Sequence, residues 1–415
     1  MGYEKLFRKL LLLLCLLLCS CATERRSKLT SGTGFIIDLD TVLSVKELRT
    51  SDVFKSVKAV ILKNDKTLLG NIDKMQTYGD NLFILDKNIA KGVYVFNKNG
   101  DFIRKIGSIG IAPSEYMSCD DFAVNCIDNE IYIYDSYQKE LHKYDLASGL
   151  YLTSTKLARN IYFDRILFNS GRLYATNVSF DPKVSKDSYF LLQQIDTSTG
   201  GLVDQWMDVA QYNRGWKGGF FHVNAFYYVN QHTDLFILGF MDSIMCINDG
   251  IIAPYLTIKS KDVIQKEDLQ QDINLSIDPI ARGNDYMRLI RRFKKENKIY
   301  KIDEIFEYRN TLHLSYSKQI RYSIQYNKIS NTVSVFDRTK DDLLFKKIPM
   351  NYQSPVFLGA DEQGVYYCVN PDNLQEMKHF ALMGNTLSER LVNQEQLVTL
   401  NEDSNPLILY YEYKE

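Results

Sequence analysis

The sequence has little proline, little tryptophan and almost no net charge. Of its 415 residues 8 are proline and 2 are tryptophan, while 28 are tyrosine and 22 are phenylalanine. Scarce proline together with abundant aromatic residues favours β-strands over disorder. The 50 basic residues nearly balance the 51 acidic ones. Because no basic field is present, nucleic-acid binding by counterion release is excluded from the expected functions.

The sequence also lacks the usual spacings of catalytic and metal-binding motifs. Its five histidines form no HExxH pair, and no GxSxG segment is present. Asn97, Asn99 and Asp101 resemble part of a calcium loop, but the glutamate of the twelfth position is missing and the segment coincides with a hairpin turn. We therefore predict no catalytic residue, no metal site and no cofactor.

A long hydrophobic run occurs only at the N-terminus. Three cationic residues precede an apolar block at positions 10–18, which is too short to span a bilayer core of roughly 30 Å as a helix. The segment is typical of a secretory signal peptide. It ends in Leu18-Cys19-Ser20-Cys21, which resembles the bacterial lipobox, in which the final cysteine is acylated and becomes the mature N-terminus. We predict a lipoprotein signal peptide over residues 1–20 and a palmitate-type anchor on Cys21; an ordinary signal peptide is the alternative.

The predicted tether over residues 21–34 is polar and rich in serine and threonine. The whole chain carries −1 and residues 1–20 carry +2, so the mature chain carries about −3. Ala22 follows the acylated cysteine where aspartate would indicate inner-membrane retention, and the tether contains no acidic run. These features predict an outer-membrane lipoprotein that faces the periplasm.

Four cysteines remain after the signal peptide and the anchor, and they show no CxxC or zinc-type spacing. We interpret them as small buried apolar residues whose redox state is open. They are Cys119, Cys126, Cys246 and Cys368.

Short strands and hairpin turns recur with a fixed period. The turn glycines Gly100, Gly149, Gly200 and Gly250 are 49, 51 and 50 residues apart. Asn-Gly and Asp-Gly turns supply the positive φ that tight hairpins require. A period of about fifty residues built from short strands is typical of β-propeller blades.

The fifth copy of the repeat comes late, because its turn at Asn331 lies 81 residues after Gly250. The spacing predicts an insertion at about 261–299, and Met287, Ile290 and Phe293 recur there at helical spacing. The predicted fold is therefore an all-β, six-bladed β-propeller over residues 35–415 with a helical insertion between blades four and five.

Two terminal strands complete the pattern. Val57–Leu62 and Leu407–Tyr413 are both apolar enough to belong to one sheet. We predict that the N-terminal strand completes the last blade beside the strands near Tyr366 and Tyr410, which removes the free edges of the ring.

The opening strands and the loop after the first blade resemble a known family. The loop contains a Gly-Pro-Glu-Tyr pattern, with Ala112 where that family usually has glycine. The chain resembles the six-bladed β-propeller lipoproteins common in Bacteroidetes, which are related to NHL-type propellers. The resemblance implies the fold and the export but no chemistry. The loop residues that carry it are Gly107, Gly110, Pro113, Glu115 and Tyr116.

Several carboxylates occupy repeated positions. Asp86 and Asp135 end equivalent strands in two blades, which indicates turn capping through side-chain hydrogen bonds to the backbone. Glu115 and Tyr116 are interpreted as a clasp between blades.

Two segments are candidates for ligand binding. In the first, Tyr212, Arg214, Trp216 and Lys217 lie in a glycine-containing linker, where an indole face and a guanidinium would suit a sugar or a carboxylate. A wedge between two blades is the alternative interpretation. The second is the cationic helix at 285–298, which could meet anionic lipid or glycan but which we interpret as a solvated helix face.

The leading functional prediction is a non-enzymatic envelope lipoprotein whose propeller binds a partner protein or a glycan. The alternatives are a glycan hydrolase or lyase that works from the central funnel and a ligand-sensing domain. Convergence of three or more ionisable side chains at one mouth of the funnel would favour an enzyme.

Overall fold

The computed structural model describes residues 29, 34–42, 44–45, 47–63, 67–159, 161–177, 190–216, 224–269, 279–349, 352–384 and 386–415. The predicted signal peptide, Cys21 and most of the tether lie outside the described residues.

Six antiparallel four-stranded units follow one another along the chain and form a six-bladed β-propeller, as the repeat predicts. Blade one contains Lys74–Tyr78, Asn81–Asp86, Gly92–Asn97 and Phe102–Ile106. Blade two contains Asp121–Asn125, Glu130–Asp135, Glu140–Asp145 and Tyr151–Lys156. Blade three contains Arg165–Asn169, Arg172–Thr176, Phe190–Ile195 and Leu202–Asp208.

The second half of the ring repeats this order. Blade four contains Phe226–Asn230, Thr233–Phe236, Ser243–Asn248 and Ile251–Lys259. Blade five contains Lys301–Tyr308, Thr311–Ser317, Arg321–Asn327 and Thr332–Phe336. Blade six contains Val356–Ala360, Gly364–Val369, Leu407–Tyr413 and Phe54–Ile61.

The first strands of the blades line the axis, where those of most neighbouring blades contact one another. Because strands alternate in direction, the ring has two distinct faces. We call the face where the first strands end the hairpin face, since the turns between first and second strands lie there. The opposite face, where the first strands begin, is the loop face.

The core lies between the blades. Residues of both faces of the second strand of blade one are buried, and Phe83 and Leu85 pack with Phe122 and Ile131 of blade two. The fourth strand of blade two, Tyr151–Lys156, contains no fully buried residue. Burial thus decreases from the axis outward, as expected for sheets that stack side by side around a ring.

The predicted closure of the ring is confirmed. Lys58 pairs with Tyr410 and Ala59 pairs with Leu409 in antiparallel register. The two ends of the chain therefore share blade six, and its third and fourth strands have no free edge between them.

The N-terminal segment also covers the outer edges of two other blades, which the repeat does not predict. Phe35–Asp38 adds a parallel strand to blade four, and Ser44–Val45 adds one to blade five. Leu48–Arg49 then pairs with Thr339–Lys340 before the helix Thr50–Val53 leads into blade six. A short strand, Leu391–Val392, covers the edge of blade six.

Asn97–Asp101 forms the hairpin turn that was predicted there. The Asn97 side-chain oxygen accepts the N–H groups of Asn99 and Asp101, each at 2.9 Å. Gly100 has φ +88°, and a Cβ at this position would lie 2.0 Å from the Ile61 carbonyl oxygen. Glycine therefore allows blade six to approach this turn closely.

The segment between blades four and five contains the helices Lys266–Leu269 and Pro279–Lys295. Leu289, Ile290 and Phe293 are buried, but Met287 is 44% exposed. All three residues of the helical spacing lie in the longer helix, where Ile290 and Phe293 belong to the buried face and Met287 does not. Among the described residues no helix is long and apolar enough to cross a membrane. The other helices are Val209–Tyr212, Pro371–Asn373, Leu374–Leu382 and Gln394–Thr399.

Candidate functional site

The linker around Trp216 packs inside the protein. Trp216 is 1% exposed, and its ring centroid lies 5.5 Å from that of Phe240. It belongs to an apolar cluster with Ile290 and Phe293 of the long helix. The expectation of an exposed indole face is therefore wrong, because the helices between blades four and five cover it.

Contacts inside the protein also fix the candidate residues next to Trp216 in the sequence. The Arg214 guanidinium donates to the Phe240 carbonyl oxygen at 2.6 Å and to the Asp242 carboxylate at 2.8 Å. Tyr212 is half-buried against the core, and Lys217 lies outside the described residues. Among the described candidates, Tyr212, Arg214 and Trp216 do not share an open surface.

The loop after blade one connects two blades. Tyr116 is fully buried, and its hydroxyl donates to the Ile106 carbonyl oxygen at 3.1 Å. The Tyr144 hydroxyl of blade two donates to the Ser114 carbonyl oxygen at 3.1 Å. Gly107 has φ +61°, and a Cβ there would approach both tyrosines to within 3 Å. The contacts tie blade one to blade two.

The tip of this loop is a turn on the loop face. The Gly110 N–H donates to the Tyr116 carbonyl oxygen at 3.1 Å. The Glu115 carboxylate accepts the Ala112 N–H at 3.0 Å, and Pro113 lies exposed within the turn. Glu115 thus stabilises its own loop.

The turn-capping role predicted for Asp86 and Asp135 is confirmed. Both side chains are fully buried. Asp86 accepts the N–H groups of Gly70 at 2.7 Å and Ile89 at 2.9 Å. Asp135 accepts the N–H groups of Met117 at 2.6 Å and Gln138 at 2.8 Å. Each carboxylate therefore joins a turn to the segment that leads into its blade.

The cysteines differ in their surroundings. Cys119 and Cys368 are buried, as predicted, and Cys246 is half-buried, while Cys126 is exposed. The prediction of a buried residue is therefore wrong for Cys126, because it lies beyond the end of its strand. All four are free. Within the described residues no group of three histidine, cysteine or acidic side chains could hold a metal ion.

A funnel of about 620 Å³ opens on the hairpin face along the axis. Its wall includes ends of first strands and the turns that follow them, and every blade contributes. One residue from each blade illustrates this: Tyr78, Cys126, Phe168, Tyr228, Ile305 and Glu362.

The floor of the funnel contains a buried ion pair. Lys74 Nζ donates to Asp121 Oδ2 at 2.9 Å, to the Phe122 carbonyl oxygen at 2.7 Å and to the Ile166 carbonyl oxygen at 2.8 Å. Burial lowers the pKa of Lys74, whereas Asp121 acts in the opposite direction. Since an ammonium has three N–H groups, Lys74 has none left for a ligand.

Asp234 is the buried carboxyl group of the funnel wall. It is 7% exposed, and its Oδ2 accepts from Asn169 Nδ2 at 2.9 Å. No described residue donates to its Oδ1, which is accessible from the funnel. Burial raises the pKa of Asp234 to about 7, and the Asn169 hydrogen bond offsets part of that rise.

The remaining charges of the wall are mainly acidic. Lys98 pairs with Asp361 at 3.0 Å, and Tyr366 also donates to Asp361, at 2.7 Å. Asp80 and Glu362 lie exposed at the rim. Four acidic residues thus face two lysines, and Lys74 is already paired with Asp121. The wall therefore has an excess of negative charge when its carboxyl groups are ionised.

Aromatic rings form the apolar part of the wall. Phe168, Phe226 and Tyr228 are half-buried, and Tyr78 is 39% exposed. The Tyr228 hydroxyl lies 3.5 Å from the Glu362 carboxylate. Flat rings beside hydrogen-bonding groups can hold a ligand that has both apolar and polar faces.

Four ionisable side chains meet on the loop face, where the first and third strands of blade five begin. Arg321 Nη2 lies 3.0 Å from Asp303 and 2.7 Å from Glu304, and Lys301 pairs with Asp303 at 2.5 Å. Burial raises the pKa of Glu304. Burial acts to raise the pKa of Asp303 too, but the nearby cations Arg321 and Lys301 hold that pKa below the ordinary value. Two cations and two carboxylates neutralise one another here.

Glu304 has φ +50° at a bulge in the first strand of blade five. A bulge changes the direction in which a side chain points, and positive φ in a non-glycine residue is strained. Ionisable side chains thus converge at the start of blade five on the loop face, in the form of a mutually paired network.

Sequence reasoning missed the funnel residues. Asp234 stands directly before the apolar residues of the second strand of blade four, in the position that Asn81, Glu130 and Arg172 hold in the first three blades. Those three side chains are half-buried or exposed. The only sequence signal was a carboxylate before an apolar strand, and the repeat makes that position polar in any case.

Comparisons with known proteins identify a family and one solved structure that shares the fold. A family model described as "Domain of unknown function (DUF4934)" matches residues 34–412. The chain is similar to a crystal structure named "Putative exported protein" from Bacteroides fragilis NCTC 9343, with a TM-score of 0.66 and 21% identity over 92% of this chain and 100% of that one. A DUF4221 family member from Bacteroides vulgatus ATCC 8482 has a TM-score of 0.46 and 12% identity over 86% of this chain and 98% of that one. No curated protein matches the sequence.

Proposed function

The chain belongs to the DUF4934 family, and we propose that it is a non-enzymatic envelope protein that binds a glycan in the funnel of its hairpin face. The observation that carries the proposal is the funnel itself. Its volume of about 620 Å³ lies within the range of roughly 300–1,000 Å³ that is typical of ligand pockets.

The chemistry of the wall supports a sugar as the ligand. Phe226 and Tyr228 offer ring faces, against which the C–H face of a sugar can pack. Asn230 and Gln231 lie exposed at the rim and can donate to and accept from hydroxyl groups. Such alternation of ring faces and amides matches the alternating apolar and polar surface of a sugar ring.

The proposed location is the outer membrane, with the propeller held by lipid on Cys21 and facing the periplasm. The lipobox-like sequence before Cys21 supports the anchor. Similarity to a protein named as exported supports passage out of the cytoplasm. The N-terminal strands along blades four to six give the tether a firm attachment to the ring.

Binding of wild-type protein to a broad panel of immobilised oligosaccharides tests the proposal. We expect at least one oligosaccharide to bind, and Tyr228→Ala to weaken that binding about tenfold or more, because a stacking face is lost. Tyr137→Ala is the matched control, since Tyr137 is 75% exposed at a turn of blade two on the loop face. Absence of any bound oligosaccharide, or equal loss in both variants, would contradict the proposal.

A glycan-cleaving activity at the loop face is the second candidate. The observation in its favour is the pair Asp303 and Glu304, whose pKa values are shifted in opposite directions. Incubation of the same oligosaccharides with wild type and with Glu304→Gln, followed by chromatography of the products, tests it. Cleavage by wild type that Glu304→Gln abolishes would establish this activity.

A further inference from the structure

We propose that the funnel recognises an ammonium group, which Asp234 anchors, on a saturated ring or chain. This inference rests on the proposed function and narrows its ligand class to amine-bearing molecules such as an amino sugar. Three observations support this inference: one carboxyl oxygen of Asp234 accepts no hydrogen bond from a described residue, the funnel wall is mainly acidic, and aromatic rings surround it.

Asp234 supplies the anchor. Its side chain is more than nine-tenths buried, yet it borders the funnel and has no donor from the described residues at Oδ1. Because Oδ1 is open to the funnel, a ligand that replaces the solvent there must offer a hydrogen-bond donor to this oxygen. A ligand ammonium donates three hydrogen bonds and would satisfy this oxygen.

The acidic residues of the funnel wall also favour a ligand with positive charge. Asp80, Asp361 and Glu362 lie around the same opening, and Lys98 compensates only one of them. Lys74 cannot compensate the others, because its ammonium is bound to Asp121 and two carbonyl oxygens at the floor. An anionic ligand would therefore meet repulsion in the funnel, whereas a cationic one would be attracted.

The aromatic residues fit the same chemistry. Phe168, Phe226 and Tyr228 line the funnel together with Asp234. The negative face of an aromatic ring attracts a cation, most strongly where water is excluded. Carboxylates and ring faces together form the kind of site that takes an amine, and a neutral sugar would need only the rings and the amides.

A matched pair of sugars tests the inference. The two sugars are the β-1,4-linked trisaccharides of glucosamine and of N-acetylglucosamine. They differ only in the nitrogen substituent of each ring, which is an ammonium group in the first and an acetamide group in the second. We expect isothermal titration at pH 7 to show the glucosamine trimer binding about tenfold or more tightly than the acetylated trimer. Spermidine, an amine without a sugar, forms the third arm and separates an amino sugar from a simple polyamine as the source of the ammonium.

Two variants distinguish the direct contact with Asp234 from the overall negative electrostatic potential of the protein. Asp234→Asn keeps the shape and the acceptor for Asn169 but removes the charge, so it should lose most of the preference for the glucosamine trimer. Asp337→Asn removes the same charge from an exposed position that follows the outer strand of blade five and does not line the funnel, so it should change the affinity less than about threefold. Circular dichroism checks that both variants keep their fold.

Equal affinity for the two trimers, or an unchanged preference in Asp234→Asn, would overturn the inference. Failure of both trimers and of spermidine to bind wild type would also overturn it. Neither result decides the proposed function, which the oligosaccharide panel and Tyr228→Ala test separately. Binding of spermidine alone, lost in Asp234→Asn, would support the ammonium anchor and argue against a sugar.

Discussion

Lys74 Nζ lies 2.9 Å from Asp121 Oδ2 at the floor of the funnel, and the same carboxylate oxygen accepts the Ile166 N–H at 2.7 Å. The three residues come from the first strands of blades one, two and three. The ion pair thus joins three blades at the axis, where the side chains of Lys74 and Asp121 are 14% and 0% exposed.

Lys74→Met should destabilise the protein by about 3–5 kcal/mol, because it leaves the Asp121 carboxylate buried without its cation. The double variant Lys74→Met, Asp121→Asn should recover part of that loss, since asparagine still accepts the Ile166 N–H without a charge. Urea unfolding followed by circular dichroism measures both. A double variant that is less stable than the single one would contradict this account.

Trp216→Ala should cost about 3–5 kcal/mol of stability, because it opens a cavity between blade four and the long helix. Met287→Ala on the same helix is the control, since Met287 is 44% exposed and should change stability little. Differential scanning calorimetry compares the two. Equal and small effects would show that Trp216 packs less tightly than its 1% exposure indicates.

Deletion of residues 407–415 should abolish or broaden cooperative unfolding. The deletion removes the third strand of blade six and leaves Phe54–Ile61 without its antiparallel partner. Deletion of Glu415 alone should leave the transition unchanged. An unaltered thermal midpoint after the longer deletion would show that the ends of the chain do not close the ring.

Asp234→Asn should stabilise the protein at pH 8 more than at pH 5. The folded-state pKa of Asp234, about 7, lies above the ordinary value of 3.8, so the folded state binds the proton more tightly. The stability that this proton contributes is full below pH 4 and is lost as the pH rises to about 7. The gain from asparagine should therefore be on the order of 2 kcal/mol larger at pH 8 than at pH 5. Urea unfolding at the two pH values measures the gain, and an equal gain at both would contradict the raised pKa.

Cys21→Ala should release the protein from the membrane fraction, because the acylated cysteine is the proposed anchor. Labelled palmitate and membrane fractionation of cells check the result. Cys126→Ala, which changes an exposed cysteine of the folded part, should leave the label and the fractionation unchanged. Wild-type protein without label would reject the anchor.

The order of the strands could be predicted from the sequence because it depends on local patterns, and the closure of the ring could be predicted because an apolar strand stands near each end of the chain. Turn glycines such as Gly100 mark each hairpin, and apolar residues at every position of strands such as Asn81–Asp86 mark sheets that are covered on both faces. The capping role of Asp86 and Asp135 followed from their equivalent positions in two copies. Each of these patterns occurs in more than one copy of the repeat, which is why the sequence alone could predict it.

The candidate site could be decided only by the tertiary structure. The sequence around Trp216 is compatible with a ligand site, but in the structure the helices between blades four and five cover this residue. The local sequence does not show which surface a helix will bury. Asp234 stands at a polar repeat position, and it becomes buried only where blades three and four meet around Asn169. Local hydrogen bonding and hydrophobic pattern thus determined the propeller. Burial, charge balance and the pKa of Asp234 depend on residues distant in sequence, so only the closed ring determined the funnel.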